Sequence, residues 1–266
     1  MHAILFEIFG RQIGTYGLFM ILGAGAAWLM IKILENKKDN DVPIVFLICI
    51  CGGLVGAFLL RPITRIPDII VNWEHIRQMP FRIFISRFFG ELVFYGGLFG
   101  GIAAMLIYCK HFKVPMLPMA DLFAPAMAVA HGLGRIGCFF GGCCYGISVH
   151  GSHLFAVTFP PSSMSAPAGV PLLAIQLIEA ACLFMIAIIL SLIYKKTAGT
   201  GLAVCLYGLL YSILRFILEF YRGDIARGIY GPFSTSQYIS IAVFAVSIVF
   251  LFFIIKNKKT GLITNH

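Results

Sequence analysis

The chain has 266 residues, of which 60% are hydrophobic and only 12% are charged, and its formal net charge is +9. A soluble domain carries about 25% charged residues, because a globule must cover its surface with polar groups. The mean hydropathy of +0.94 therefore excludes a soluble enzyme and a disordered chain. It predicts an integral membrane protein built from helices. We attribute the positive charge to membrane topology and anionic lipid, and expect no nucleic-acid partner.

Seven apolar runs follow in chain order, and each approaches the roughly 20 residues that a transmembrane helix needs. They lie at 12–34, 43–62, 89–109, 119–135, 172–194, 202–221 and 236–255. The fourth is the weakest, because it is short and ends in a glycine-rich stretch. Closely spaced glycines, as in Gly96-Gly97-x-x-Gly100-Gly101, favour tight helix packing in lipid. We expect no removable signal peptide and one polytopic membrane domain over 1–266.

Lysine placement predicts the orientation of these helices. All ten lysines fall within 32–38, 110–113, 195–196 and 256–259. With seven spans, these segments lie on one side, and the positive-inside rule makes that side cytoplasmic. The predicted fold is therefore all-α, with seven transmembrane helices, the N-terminus outside and the C-terminus in the cytoplasm.

An outer-side arm is predicted between the second and third spans. It carries five of the ten arginines, namely Arg61, Arg65, Arg77, Arg82 and Arg87. One interpretation is an interfacial amphipathic segment whose arginines extend to lipid headgroups. Another is a site for an anionic headgroup, since arginine binds phosphate in a planar, bidentate manner. Both interpretations can hold.

Ionisable residues inside spans are costly in lipid and therefore indicate functional sites. Arg215, Glu219 and Arg222 lie at helical spacing on one face of the sixth span. They predict either an interhelical ion-pair staple or an anion pocket with net positive charge. In the fifth span, Gln176 and Glu179 lie one turn apart and are predicted to hydrogen-bond an arginine from another helix, Arg215 or Arg135.

The most informative segment is 131–146, in which six of sixteen residues are glycine. Glycine permits close backbone approach to a ligand, and irregular backbone at membrane depth must be buried in protein or line a cavity. Arg135, between two glycines, therefore suggests a cradle for an anion. Asp121, near the start of the same span, is predicted to be a helix N-terminal acid favoured by the helix dipole.

Several motifs together resemble those of the bacterial prolipoprotein diacylglyceryl transferases. The resemblance extends along most of the chain in matching order and spacing. Its motifs are Tyr16-Gly17-Leu18, Phe94-Tyr95-Gly96-Gly97, Asp121 to Pro125, Gly134-Arg135-Ile136-Gly137, Gln176-Leu177-Ile178-Glu179-Ala180, Arg215-Phe216-x-x-Glu219-Phe220-Tyr221-Arg222 and Ser234 to Gln237.

This resemblance implies an enzyme of the bacterial cytoplasmic membrane without a cofactor. The family moves a diacylglyceryl group from phosphatidylglycerol to the lipobox cysteine of a preprolipoprotein, and glycerol 1-phosphate leaves. By resemblance, Arg135 and Arg215 bind and stabilise the lipid phosphate, and Tyr16 positions the headgroup. The other expected substrate-binding residues are Gln176, Glu219, Arg222 and Gln237.

The chain departs from the family pattern at three positions. Tyr95 stands where the family has a histidine, and Cys138 and Cys143 stand at the signature asparagine and glutamate. Tyrosine is a poor base at neutral pH, because its unperturbed pKa is about 10, unless a neighbouring arginine lowers that pKa. The chain is therefore interpreted as a divergent member. Two alternatives are a different acceptor, used through a Cys/His site, and a non-catalytic phospholipid-binding or transport protein.

The cysteine cluster and His131 complete the candidate catalytic residues. Cys138, Cys143 and Cys144 allow four interpretations: a metal site, a disulfide, a reactive thiolate beside Arg135 or His131, or inert packing. Their spacing matches no standard metal motif, so no metal is assigned. His131 lies one turn before Arg135 and could replace the missing base, although a buried histidine in such a segment is also common as a packing residue.

Overall fold

The computed structural model describes residues 4–8, 11–35, 39–84, 93–149, 154–224 and 228–259. Its helices are α1 Thr15–Leu34, α2 Asp41–Thr64, α3 Ile66–Val71, α4 Trp73–Arg77, α5 Phe94–Phe112, α6 Met116–Gly141, α7 Ile175–Thr197, α8 Leu202–Leu218 and α9 Thr235–Lys259, and a 3₁₀ turn, Glu219–Tyr221, follows α8. Short antiparallel pairs join β1 Ile4–Ile8 to β2 Arg11–Gly14, β3 Ala156–Thr158 to β4 Pro171–Leu173, and β5 Ile229–Tyr230 to β6 Phe233–Ser234.

Six of the described helices are long and apolar enough to cross a membrane: α1, α2, α6, α7, α9, and α8 with its 3₁₀ turn. Large apolar side chains also remain exposed, such as Val246 and Phe252 on α9 (69% and 63%), as expected where lipid covers a helix. These findings confirm a mostly helical integral membrane protein. The third predicted span corresponds to α5, which is not among the six and carries Lys110 and His111 in its last turn.

The fourth span is longer and more regular than its sequence suggested. We expected irregular backbone in the glycine-rich segment, but α6 runs for 26 residues to Gly141, and the helix ends before Gly142, whose φ is +69°. A continuous helix satisfies its own backbone hydrogen bonds, which lipid cannot do. The glycines instead admit neighbouring helices: a Cβ on Gly132 would lie 2.8 Å from the ring of Phe184.

Backbone contacts divide the chain into two compact units, Met1–Asn36 with Leu117–His266, and Lys37–Met116. In the first unit α8 packs against both α7 and α9. There α1 also approaches α6 closely, because a Cβ on Gly23 would lie only 3.2 Å from the carbonyl oxygen of Ala130. The expectation of one polytopic domain stays a prediction.

Asp121 ties α6 to the beginning of α8. Its buried carboxylate accepts hydrogen bonds from the backbone N–H groups of Gly201 (2.8 Å) and Val204 (3.1 Å). These donors belong to the first turn of α8, where helical N–H groups lack partners within the helix. The prediction of a helix N-terminal acid was therefore correct in kind but named the wrong helix, because the donors begin at Gly201, 80 residues later in the sequence.

In the second unit, glycines join α2 to α5. A Cβ on Gly52 would lie 2.5 Å from the Cβ of Ala104 and 2.8 Å from the carbonyl oxygen of Gly100. A Cβ on Gly53 would lie 3.3 Å from the carbonyl oxygen of Gly97. The predicted tight packing through small residues is confirmed, since the two helix backbones touch where side chains would otherwise separate them.

The arm after α2 contains α3 and α4. Exposed Ile70 and Val71 occur on it together with Arg77, whose Nη2 lies 3.5 Å from Oε2 of exposed Glu74. This mixture fits an interfacial segment, and both interpretations of its arginines stay predictions. Arg87 lies outside the described residues.

Candidate active site

A chain of buried ion pairs links α6, α7 and α8 within the first unit. Oε2 of Glu179 on α7 lies 3.1 Å from Nε of Arg135 on α6 and 3.7 Å from Nη1 of Arg215 on α8. Nη2 of Arg215 lies 2.7 Å from Oε2 of Glu219, one turn further along. The predicted Arg215–Glu219 pair and the predicted contact of Glu179 with an arginine from another helix are both confirmed.

Arg222 extends this network beyond the end of α8. Its Nη1 lies 3.9 Å from Oε2 of Glu219, and its Nε and Nη2 bind the two carboxylate oxygens of Asp224, with Nε–Oδ1 at 2.8 Å. Burial disfavours the charge of Arg222, but its hydrogen bonds to Asp224 raise the pKa above the ordinary value.

The network is balanced in formal charge, contrary to the predicted net positive pocket. The sequence interpretation counted Arg215, Glu219 and Arg222 and missed Asp224. With Glu179 and Asp224 included, three carboxylates face three arginines. The sequence feature that could have revealed this third carboxylate is the position of Asp224, two residues after Arg222 and just beyond the span.

Two tyrosines, also missed from the sequence, line the same region. Nδ1 of His131 lies 3.2 Å from the hydroxyl of Tyr207, and its ring packs edge-on against Tyr211 with centroids 4.7 Å apart. The hydroxyl of Tyr211 donates to Oε1 of Glu179 at 3.3 Å. The sequence feature that could have revealed these tyrosines is their spacing: Tyr207, Tyr211 and Arg215 follow one another at intervals of four residues, which places all three on one face of α8.

Tyr16 lies beside the glycine-rich part of α6. A Cβ on Gly137 would lie 3.3 Å from Cδ2 of Tyr16 and 2.9 Å from the Cβ of Phe19. The ring of Phe19 stacks on Phe140, with centroids 5.3 Å apart. Gly137 therefore lets α1 bring Tyr16 close to the segment that carries Arg135.

Three cysteines gather where α6 ends. The sulfur atoms of Cys138, Cys143 and Cys144 all lie within 4.8 Å of one another, and all three residues are free thiols. The thiol of Cys143 donates to the carbonyl oxygen of Cys138 at 3.7 Å. Gln176 on α7 donates through Nε2 to the carbonyl oxygen of Cys143 at 2.7 Å, so its described contact supports this turn, and the predicted hydrogen bond to Arg135 or Arg215 was wrong.

The cysteines in the turn differ in acidity. Hydrogen bonds with Cys138 and Cys144, followed by burial, raise the pKa of Cys143. Hydrogen bonds from the thiols of Cys138 and Cys143 lower the pKa of Cys144, against an opposing effect of burial, and the positive charges of Arg135 and Arg222 lower it further. If one thiolate forms in the metal-free cluster, we expect it at Cys144.

Comparison with known proteins identifies the family. The family model described as prolipoprotein diacylglyceryl transferase matches residues 3–253. The chain belongs to this family. It is 34% identical over 262 residues to the phosphatidylglycerol–prolipoprotein diacylglyceryl transferase of Clostridium tetani, covering 97% of this chain and all of the relative. It is 35% identical over 247 residues to transferase 2 of Clostridium perfringens, covering 91% of each, and 34% identical over 264 residues to that of Clostridioides difficile, covering 97% and 98%.

Tyr95, which replaces the histidine expected in this transferase family, lies in the second unit. It is in the first turn of α5, and its ring stacks on that of Phe99 with centroids 6.5 Å apart. The residues of the ion-pair network all belong to the first unit. A catalytic role for Tyr95 therefore stays a prediction.

Gln237 occupies the family's motif at the start of the last span, and its contacts are local. Its Oε1 accepts a hydrogen bond from the backbone N–H of Ser234 (3.0 Å), and its own N–H donates to Oγ of Ser234 (3.3 Å). This reciprocal pair resembles a capping box and fixes the start of α9. The neighbouring Ser236 accepts a hydrogen bond from Nη2 of Arg215 at 3.2 Å and so connects α9 to the arginine network.

Proposed function

We propose that this chain transfers a diacylglyceryl group from phosphatidylglycerol to the lipobox cysteine of a prolipoprotein in the bacterial cytoplasmic membrane. The observation that carries the proposal is the pair formed by the buried Arg215 and the largely buried Arg135, joined by Glu179 in a chain of this family. The names of its relatives supply the two substrates. Burial matters because ionic hydrogen bonds are stronger where water is excluded.

Arg135 and Arg215 would bind the lipid phosphate. The ion pair of Arg135 with Glu179 uses Nε, whereas a guanidinium has five N–H donors in all. The other N–H donors of Arg135 lie outside that pair; the guanidinium also contacts Tyr211, and the remaining donors are the ones proposed to bind the phosphate. Glu179 would hold both arginines in position, so that little reorganisation is needed when negative charge develops on the leaving phosphate.

The reaction is a substitution at the terminal glyceryl carbon of the diacylglyceryl group. The acceptor thiol loses its proton, its sulfur forms a C–S bond, and the C–O bond to phosphate breaks with both electrons leaving on glycerol 1-phosphate. His131 is the proposed acceptor of the thiol proton. When Nδ1 of His131 donates to the hydroxyl of Tyr207, Nε2 is the accepting nitrogen.

The proposed topology has seven spans, with α5 as the third. Lys110 lies in the last turn of α5, as expected where a helix reaches the cytoplasmic side. The lysine segments that follow α1 and α7 would lie on that same side. The N-terminus is then outside and the C-terminus in the cytoplasm.

The test uses purified protein in phosphatidylglycerol micelles with a lipobox peptide. Glycerol phosphate release and peptide mass are followed together. We expect both release and a mass gain equal to one diacylglyceryl group. Release without peptide modification would indicate hydrolysis or another acceptor and would contradict the proposal, as would the absence of both signals in protein that binds the lipid.

Arginine substitutions test the phosphate contact directly. Arg135→Ala removes one charged donor group and should lower the transfer rate by about 100-fold or more. Arg77→Ala is the matched control, because that arginine is exposed on α4 and pairs with an exposed glutamate. Full activity in Arg135→Ala would refute the proposed clamp.

A further inference from the structure

The cysteine cluster at the end of α6 combines ligand chemistry with restricted geometry. Cys138 is buried in the last turns of the helix, whereas Cys143 and Cys144 are half-buried in the turn that follows. The three sulfur atoms lie within 4.8 Å of one another, and packing of small apolar side chains does not require such a convergence. Partial exposure of two of them leaves a route for an ion to enter.

The backbone of this turn explains how adjacent cysteines can face one point. In extended backbone, neighbouring side chains point to opposite sides. Cys144 instead has a φ of +57°, in the left-handed region that few residues other than glycine adopt. The N–H of Cys143 donates to the carbonyl oxygen of Cys138 at 3.1 Å, and Gln176 holds the carbonyl oxygen of Cys143 from α7. The turn is therefore fixed from both sides.

We propose that Cys138, Cys143 and Cys144 bind one thiophilic divalent cation of the zinc class through three thiolates. Zinc–sulfur distances are about 2.3 Å in tetrahedral sites, which places the sulfur atoms about 3.8 Å apart. The sulfurs already lie within 4.8 Å, so small side-chain rotations complete the site. The spacing matched no standard motif because Cys138 belongs to a helix and the other two belong to a left-handed turn.

The charge of the occupied site suits its surroundings. Binding releases three thiol protons to solvent, and a dication with three thiolates carries one net negative charge. Arg135 and Arg222 both attract a negative charge on Cys144, and they would stabilise that charge in part, since each also pairs with a carboxylate. Such compensation is needed because an isolated charge is costly in a buried environment.

Three protein ligands leave the fourth tetrahedral position open, as in sites that bind a substrate. We assign that position to a further thiol, and this assignment rests on the proposed function, in which the acceptor is a cysteine. Coordination to the metal would lower the pKa of the acceptor thiol, and its proton would pass to His131, the acceptor named in the proposed function. The resulting thiolate would form the C–S bond while the C–O bond to phosphate breaks.

Cobalt provides a spectroscopic probe for the full-length protein in detergent. Reduced, chelator-treated protein is titrated with Co²⁺, and tetrahedral thiolate coordination is read from its charge-transfer and d–d absorption. In a separate sample loaded with Zn²⁺, the number of bound ions per chain is counted by native mass spectrometry. We expect one ion per chain, and a loss of affinity of more than about 100-fold in Cys138→Ser and in Cys144→Ser.

Cys205→Ser is the matched control. Cys205 is buried in α8, and its thiol donates to the carbonyl oxygen of Ser247, a contact that a serine hydroxyl can keep. The Cys205→Ser variant should bind Co²⁺ like the wild-type protein. Absence of thiolate bands, equal binding by Cys138→Ser, or a native disulfide between Cys138 and either neighbour would overturn the metal site.

The open position is tested separately with a lipobox peptide and its serine counterpart. The cysteine peptide should shift the Co²⁺ spectrum and the serine peptide should leave it unchanged. Equal effects of the two peptides would overturn the assignment of the fourth ligand. Metal binding is read without lipid or turnover, so transfer by protein that binds no metal would refute only the metal site. Metal binding without transfer would refute only the proposed function.

Discussion

Glu179→Gln removes one negative charge and leaves the shape of the site almost unchanged. The carboxylate is 3% exposed, contacts two arginines and accepts a hydrogen bond from Tyr211. Breaking a buried ion pair from one side costs about 3–5 kcal/mol, because the remaining charge stays buried without compensation. A loss of 3 kcal/mol corresponds to about 150-fold in the unfolding equilibrium and to a midpoint lower by roughly 6 °C or more.

The assay is thermal unfolding in detergent, followed by intrinsic fluorescence. Glu74→Gln is the matched control, since the same chemical change at an exposed pair with Arg77 should shift the midpoint very little. Because Glu179→Gln leaves an arginine charge without its carboxylate, added phosphatidylglycerol should raise its midpoint more than that of the wild type. A midpoint equal to the control's, with or without lipid, would refute the view that Glu179 holds the two arginines.

Three further predictions concern other parts of the molecule. Gly56→Val should make the second unit more susceptible to protease digestion, because the helix backbones of α2 and α5 touch at Gly56. Gly25→Ala on α1 is the control: a Cβ there meets open space, so the digestion pattern should stay unchanged. Asp121→Asn should lower the thermal midpoint by weakening a cap worth about 0.5–2 kcal/mol, with an unchanged KM; a raised KM would contradict a purely structural role. In metal-free protein, iodoacetamide should modify Cys144 before Cys143, because hydrogen bonds among the three thiols lower the pKa of Cys144 and raise that of Cys143; mass spectrometry would detect the opposite order.

The ionic part of the site was largely predictable from the sequence. A charged residue in an apolar run is costly unless it is paired, and this restriction led to the Arg215–Glu219 pair and to the contact of Glu179 with another helix. The small-residue packing of α5 was predictable for the same reason, since lipid leaves close approach as one of the few sources of helix association.

Polar residues of ordinary appearance were harder to place. Tyr207 and Tyr211 are compatible with any apolar helix, and only their spacing from Arg215 indicates the shared face. Asp224 lies outside the span and was therefore not counted. The end of α6 was misplaced because glycine favours both irregular backbone and close helix packing, and the neighbours that distinguish these outcomes come from distant parts of the chain.

The bond between Asp121 and the start of α8 has a consequence for biogenesis. The first N–H groups of α8 have no partners within the helix, and leaving them without hydrogen bonds is costly once that helix end is buried. Their acceptor lies on α6, 80 residues earlier, so it has been synthesised and can already be in place when α8 emerges from the ribosome. A rearranged gene that encodes α8 ahead of α6 would present that helix end to the bilayer before its acceptor exists.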